Sequence, residues 1–354
     1  MRHLALVASL LAGCGSKPGN GVNDPDAAVD GAADNDADAS QSDAGTDATI
    51  DAPPPQFGPD QVWFAGDSMA MLHYDGVMVS PTTSAQSTYY SIWGSSPTNV
   101  LALAWNGEVV RFDGTQWGTS RQATGTLLIY SSIFGFAAND VWALGDRGTI
   151  LRFDGTTWSS KNYGGTLTNW AETLWGTASN NMWALGTSPK HHHWNGTQWS
   201  DVPFIPGSYP FAIWGSSASD VWAVGQTLNQ GGMPETSTII HYDGSQWTRA
   251  TVPAELNEPG QVLRSVWGSS ASDVWAVGDD GLMAHWNGAT WSKVASGTTH
   301  DLNAVGGSWS GSVWAAGAQG TILHRDNSGT WSPIASGTNR SIYALWVAPG
   351  VVLE

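Results

Sequence analysis

Nine histidines and a single cysteine are the side chains of this 354-residue chain with the plainest chemical potential. Three histidines adjoin, His191-His192-His193, a cluster that could hold a metal if a further ligand stood near. They align with Ile150-Leu151-Arg152 of a related segment and so fall on a β-strand, where alternation puts His191 and His193 on one face and His192 on the other. Only His191 and His193 could share an ion, and no third ligand is in view, so no metal or cofactor is expected. A second polar series is more regular. His73, Arg111, Arg152, His193, His241, His285 and His324 occupy one place in a repeated phrase. A ring of imidazoles could relay protons, but its presence in every copy points to a structural lock. Its partners would be Asn99, Asp140, Asn181, Asp220 and Asp273, giving cross-strand pairs such as Asp140–Arg152 and Asp273–His285.

Catalytic machinery is not legible. No nucleophile motif, phosphate loop or zinc signature is present. A sialidase-like hydrolase would need clustered arginines with a Tyr/Glu pair. Arg121, Arg147, Arg249, Arg264, Arg325 and Arg340 are instead scattered, and Glu108, Glu172, Glu235, Glu255, Glu258 and Glu354 show no pairing. The expectation is a protein that binds rather than catalyses, with the hydrolase as a distant alternative.

The phrase that positions these residues recurs with a period near 40. One half reads Val-Trp-Ala-Val-Gly, as at Val274 to Gly278, and the other reads apolar-Trp-Gly, as at Val266-Trp267-Gly268. Short alternating runs separated by Gly/Asp turns at this period imply a radially repeated β architecture. Each half occurs seven times, and the two series are out of step: the chain opens with the second half of a unit and ends with the first, near Ser341 to Val347. The fold expected is therefore all-β, a seven-bladed β-propeller of four-stranded blades (strands a to d). Its ring closes where N- and C-terminal strands share one blade, which removes a free sheet edge. Val351-Val352-Leu353 resembles the start of another strand b and keeps eight blades as the alternative. Asp/Asn-Gly pairs such as Asp154-Gly155 and Asn287-Gly288 place tight turns between strands c and d. Trp fills the space between sheets, with its N–H expected to find a carbonyl.

Positions that repeat build the fold, so those that vary are free for recognition. In strand a, nearest the axis, one position reads Tyr90, Ser131, Glu172, Phe211, Arg264, Asn303 and Tyr343. This mixture marks a candidate axial binding patch. Loops d–a and b–c emerge on a common rim with the one substantial insertion, Thr227 to Ser237, which includes Asn229, and with Tyr163, Trp170 and Tyr209. Aromatics beside amides and carboxylates suit sugars, whose faces stack on rings while hydroxyls take polar tips.

Gly148-Thr149-Ile150-Leu151-Arg152-Phe153-Asp154-Gly155-Thr156-Thr157-Trp158 resembles the repeat of photosystem II assembly factor-like propellers and of their Asp-box (BNR, sialidase-type) relatives. The Asp-box spacing is Asp-x-Gly-x-x-Trp, one residue longer than here. With Val141-Trp142 before it, the stretch also resembles tectonin-type repeats, and that resemblance implies a glycan-binding lectin. These resemblances cover nearly all of 61–347.

The N-terminus sets the location. Met1-Arg2-His3, an apolar run Leu4 to Leu11 and Ala12-Gly13-Cys14 form a signal peptide over 1–13. Leu11-Ala12-Gly13-Cys14 resembles the lipobox of bacterial lipoproteins, which implies lipidation of Cys14, and Gly15 after it implies the outer membrane. Residues 14–60 form an Asp/Ala-rich tether too poor in apolar surface to fold, similar to that of lipoproteins of predatory bacteria. The propeller spans 61–354 and carries 20 acidic against 11 basic residues within a chain of formal net charge −17. That excludes nucleic acid as an expected partner. The whole reads as a monomeric outer-membrane lipoprotein, periplasmic or surface-exposed, whose propeller binds a protein, an envelope component or, alternatively, a glycan.

Overall fold

The computed structural model describes residues 56–57, 60–67, 70–77, 79–81, 87–122, 129–145, 148–161, 171–186, 191–203, 205–227, 236–308, 311–348 and 352–353. Seven antiparallel four-stranded sheets form the blades of a β-propeller. Blade 6 is a plain example: strand a is Leu263–Ser270, b is Asp273–Gly278, c is Met283–Trp286 and d is Trp291–Lys293. In blades 2 to 5 strand a is Tyr89–Ser96, Tyr130–Ala137, Ala171–Ala178 and Ser208–Ser217; in blade 7 it is Leu302–Gly307. Strand a of each blade packs against strand a of both neighbours all the way round, which makes it the innermost strand.

Closure follows the offset read from the sequence. In blade 1 the last long strand, Ile342–Val347, pairs with the first, Val62–Gly66. Val352–Leu353 opens no eighth blade; it pairs with Gln56–Phe57 in a separate two-stranded ladder. The Asp60 carboxylate also accepts the Trp314 Nε1–H of blade 7 at 3.0 Å, tying the chain start to the blade beside the closure.

The apolar-Trp-Gly element now has a physical reason. A Cβ at Gly94, Gly135, Gly215, Gly268 or Gly307 would strike the ring of Trp346, Trp93, Trp175, Trp214 or Trp267, each from the preceding blade. The glycine leaves the space that its neighbour's indole fills. Blade 7 has Gly306 in place of the tryptophan, and blade 1 has Val347 in place of the glycine, so the volumes compensate. Farther out, strand-b tryptophans meet strand-d tryptophans of the next blade edge-on: Trp63–Trp117, Trp183–Trp247, Trp222–Trp291 and Trp275–Trp331 have centroids 5.3 to 5.6 Å apart.

The indole N–H groups correct one expectation. Trp194 and Trp286 do donate to carbonyls, of Ser179 and Ala271. Trp142 and Trp275 donate to the carboxylates of Asp140 and Asp273, and the buried Nε1 atoms of Trp63, Trp93, Trp175 and Trp222 have no acceptor. Filling volume between sheets outweighs satisfying one weak donor at these positions.

The polar series forms a lock in all seven blades. Arg111, Arg152, His193, His241 and His285 bond Asn99, Asp140, Asn181, Asp220 and Asp273 at 2.5 to 2.8 Å. His73 uses Gln61 instead, and His324 uses Ser312. Each lock residue lies directly across from the residue one or two places after the first of strand b, a tryptophan in six blades and Leu101 in blade 2. His73 and His324 stack on Trp63 and Trp314 at 3.9 and 4.1 Å, and the Arg152 guanidinium lies over Trp142. Burial lowers the pKa of His73, His193 and His324.

Candidate functional site

The variable position of strand a coincides with a break in the β-ladder. In blade 6, Leu263 pairs with Gly278 and Ser265 with Val277, so Arg264 between them faces no partner residue. The same one-residue bulge falls at Tyr90, Ser131, Glu172, Phe211, Asn303 and Tyr343. A bulge bends the strand and re-aims its extra side chain. Here it does so once per blade on the innermost strand, at the end from which the d–a and b–c loops emerge. The seven variable residues thus form one ring around the axis, contiguous with that rim.

In blades 1, 5, 6 and 7 the glycine that closes strand b lets the backbone come close to strand a beside the bulge, whereas blade 2 keeps the bulge with Ala104. A Cβ at Gly278 would overlap the Val262 carbonyl oxygen, and one at Gly225 the Tyr209 carbonyl oxygen. The two backbones approach more closely here than any side chain permits.

Members of the ring differ in their commitments. Tyr343 stacks on Tyr90, centroids 4.9 Å apart and planes 24° from parallel, and donates its hydroxyl to Asp67 at 3.1 Å. Burial with the nearby Asp67 charge pushes the Tyr343 phenol up to about 12. Asn303 is buried; its Nδ2 donates to the Ile342 carbonyl at 2.8 Å, while its Oδ1 is buried without a donor. Arg264 is ion-paired with Asp279. Burial raises the Asp279 carboxyl, the Arg264 charge opposes the rise, and Asp301 and Asp280 add to it. Ser131 donates to the Leu144 carbonyl. Phe211 is half-buried. Glu172 is half-buried, yet its Oε2 is sealed from solvent with no hydrogen-bond donor. Desolvation pushes this carboxyl up to about 8.

Three residues of this face escaped the sequence reading. Asp67 and Asp279 each follow the glycine that ends strand b, so a Gly-Asp pair there signals a partner for the bulge residue. Trp105, directly after strand b of blade 2, is 50 % exposed where most large apolar side chains are buried. Its signal was a tryptophan just past the position where other blades end in glycine.

On the rim of blade 6 a cleft of about 530 Å³ is lined by Asp280–Leu282, Lys293–Thr299 and Gln261. No aromatic ring lines it. Of the rim candidates, Tyr209 is half-buried and paired with Gln226; Tyr163, Trp170 and Asn229 lie outside the described residues, as does Cys14. His191 is fully buried in strand c of blade 4, and burial pushes its pKa down to about 3. His192 meets Asp201 at 3.2 Å, and His193 belongs to the lock. Among the described residues no three His, Cys, Asp or Glu side chains stand close enough to hold a metal.

No protein-family model matches the sequence, and no curated protein matches it. Solved structures do resemble it. A structure of YCF48 bound to a D1 peptide superposes with a TM-score of 0.59 at 14% identity, over 75% of this chain and 90% of that one. YCF48 from Cyanidioschyzon merolae gives 0.53 at 15% identity over 72% and 87%. The WD40 propeller domain of Doa1 gives 0.55 at 10% identity over 72% and 84%. At these identities the likeness concerns the fold.

Proposed function

We propose that this chain is a non-catalytic binding protein of the bacterial envelope, anchored to the outer membrane through lipidated Cys14, whose d–a/b–c face holds a segment of a protein partner. The observation that carries this reading is the bulge in every blade. It holds a common backbone while presenting six different side-chain types at seven positions around one axis, a scaffold for recognition rather than for a shared reaction. The half-exposed Trp105 on the same face suits a protein interface, where tryptophan is the residue type most often decisive. The YCF48 propeller, similar in fold, was solved with a peptide bound.

A glycan-binding role would draw on Tyr90, Phe211 and Tyr343, so both ligand classes belong in one test. The chain from residue 14 onward, with Cys14→Ser, would be screened against a displayed peptide library and a glycan array. Enriched peptides that lose binding on Trp105→Ala, Phe211→Ala or Tyr343→Ala support the protein-partner reading. Selective glycan retention with no enriched peptide replaces it by a lectin. The anchor is tested by incorporation of labelled palmitate in cells, which Cys14→Ser should abolish, and by fractionation with the outer membrane.

A further inference from the structure

We infer that the axial end of the propeller receives a guanidinium group, an arginine side chain of the protein partner, with Glu172 as its counter-charge. The inference rests on the protein-partner reading and names what that face recognises.

The bulge ring is short of donors. Glu172 Oε2 in blade 4 and Asn303 Oδ1 in blade 7 are both buried without a hydrogen-bond donor. The Asn303 orientation is fixed because its amide nitrogen already donates to Ile342. A buried acceptor left unsatisfied costs about 1–3 kcal/mol, and two in one seven-residue ring call for a reason. Carboxyl groups predominate at this end. Asp67, Glu172 and Asp279 lie here, and the one cation of the ring, Arg264, is already committed to Asp279. What the ring lacks is a positively charged group with several N–H donors.

Guanidinium fits better than ammonium. Its planar fork offers five donors and stacks on aromatic faces, and the ring supplies Phe211 in the blade after Glu172 and the Tyr90–Tyr343 pair across the closure. With no cation bound, burial keeps the Glu172 carboxyl protonated at neutral pH. Entry of the guanidinium ionises it and releases one proton, so affinity should rise about tenfold per pH unit up to pH 8 and level off above it. The strands packed against strand a of blade 4 carry three titratable groups: Tyr130, Tyr209 and Asp140, the last bound to Arg152 at the opposite end of its strand.

The chain from residue 14 onward with Cys14→Ser, labelled with ¹³C at glutamate carboxyl carbons, would be titrated with Nα-acetyl-arginine amide and with its uncharged citrulline analogue. The expected result is a saturable movement of the Glu172 resonance with the arginine compound alone, absent in Glu172→Gln and in Glu172→Met, and strengthening from pH 6.5 to 8. No saturable movement, or an equal response to citrulline, overturns the inference. The peptides enriched above provide the second arm. Arginine-to-citrulline replacement in the peptide and Glu172→Gln in the chain should each weaken binding at least tenfold. Enriched peptides that tolerate both changes within twofold would overturn the guanidinium inference and leave the protein-partner reading standing. A library with no binder would remove that reading, and the arginine-amide titration alone would then decide the Glu172 site.

Discussion

Tyr343 lies across the chain closure from Tyr90, rings 4.9 Å apart and nearly parallel, with the Tyr343 hydroxyl donating to Asp67. The stack joins the strand that closes the ring to strand a of blade 2, so ring closure and the candidate site share a side chain. Tyr343→Phe keeps the ring and loses the hydrogen bond; it should cost about 1 kcal/mol in urea denaturation. Tyr343→Ala should in addition lower affinity for the selected peptides. A wild-type affinity in the alanine variant would remove Tyr343 from the binding face.

Trp105 offers the sharper separation of binding from folding. Half its surface is open, so it contributes far less to packing than the buried tryptophans between blades. Trp105→Ala should therefore leave the denaturation midpoint nearly unchanged while weakening peptide binding by about 2 kcal/mol, roughly thirtyfold. Equal affinity in the variant would place the contact elsewhere on the rim.

The Asp140–Arg152 lock should behave as a coupled pair. Arg152 donates to Asp140 at 2.8 Å and lies over Trp142, which also donates to Asp140. Arg152 is partly open to solvent, so screening trims the ion-pair contribution. A double-mutant cycle of Asp140→Ala and Arg152→Ala should give a coupling energy of about 1 kcal/mol. A coupling near zero would mean that the repeated position serves packing alone.

Much of this was legible because repetition multiplies weak signals. One Asp–Arg pair twelve residues apart says little, but the same spacing at Asp140–Arg152, Asn181–His193 and Asp273–His285 fixes the register of strands b and c. The locks of blades 1 and 7 were not legible, because Gln61 and Ser312 break the Asp/Asn pattern while filling the same geometric role. The variable position of strand a was visible, but not that it is a bulge. A period-2 pattern gives faces and says nothing of an extra residue inserted into one strand. Nor could composition reveal that Arg264 and Tyr343 are held by Asp279 and Asp67, since those contacts depend on how the b–c loops return to the axis.

In blade 6 the glycine at the end of strand b should be required for the site as well as for the fold. Gly278 faces Leu263, the residue before the Arg264 bulge, and an added Cβ would overlap the Val262 carbonyl. Gly278→Ala should destabilise the domain by about 1–3 kcal/mol and displace Arg264 from Asp279, seen as a changed Arg264 Nε–H resonance. Blade 2 carries Ala104 at the equivalent position, opposite Tyr89, and keeps its bulge without the glycine. If Gly278→Ala were neutral, the close approach would not be what holds Arg264 in place in blade 6.

Glu172 and the buried histidines should give the folded domain a stability maximum near pH 6.5. The Glu172 carboxyl rises from 4.5 to about 8 on folding, so between these values the native state holds a proton that the unfolded chain has lost. Stability therefore falls as pH rises through this range, by about 1.4 kcal/mol per pH unit for one proton. His191 has the opposite sign. Its pKa drops from 6.5 to about 3, so the unfolded chain binds the extra proton and stability is lost as pH falls below 6.5, with His73, His193 and His324 shifted in the same direction. The slopes oppose each other between 4.5 and 6.5, but from 6.5 to 8 Glu172 acts without the histidines. Denaturation midpoints of the wild-type chain should decline across that upper window, and those of Glu172→Gln should stay flat. A decline that persists in Glu172→Gln would show that the carboxylate finds solvation when it ionises, and that its oxygen is less sealed than its place in the ring implies.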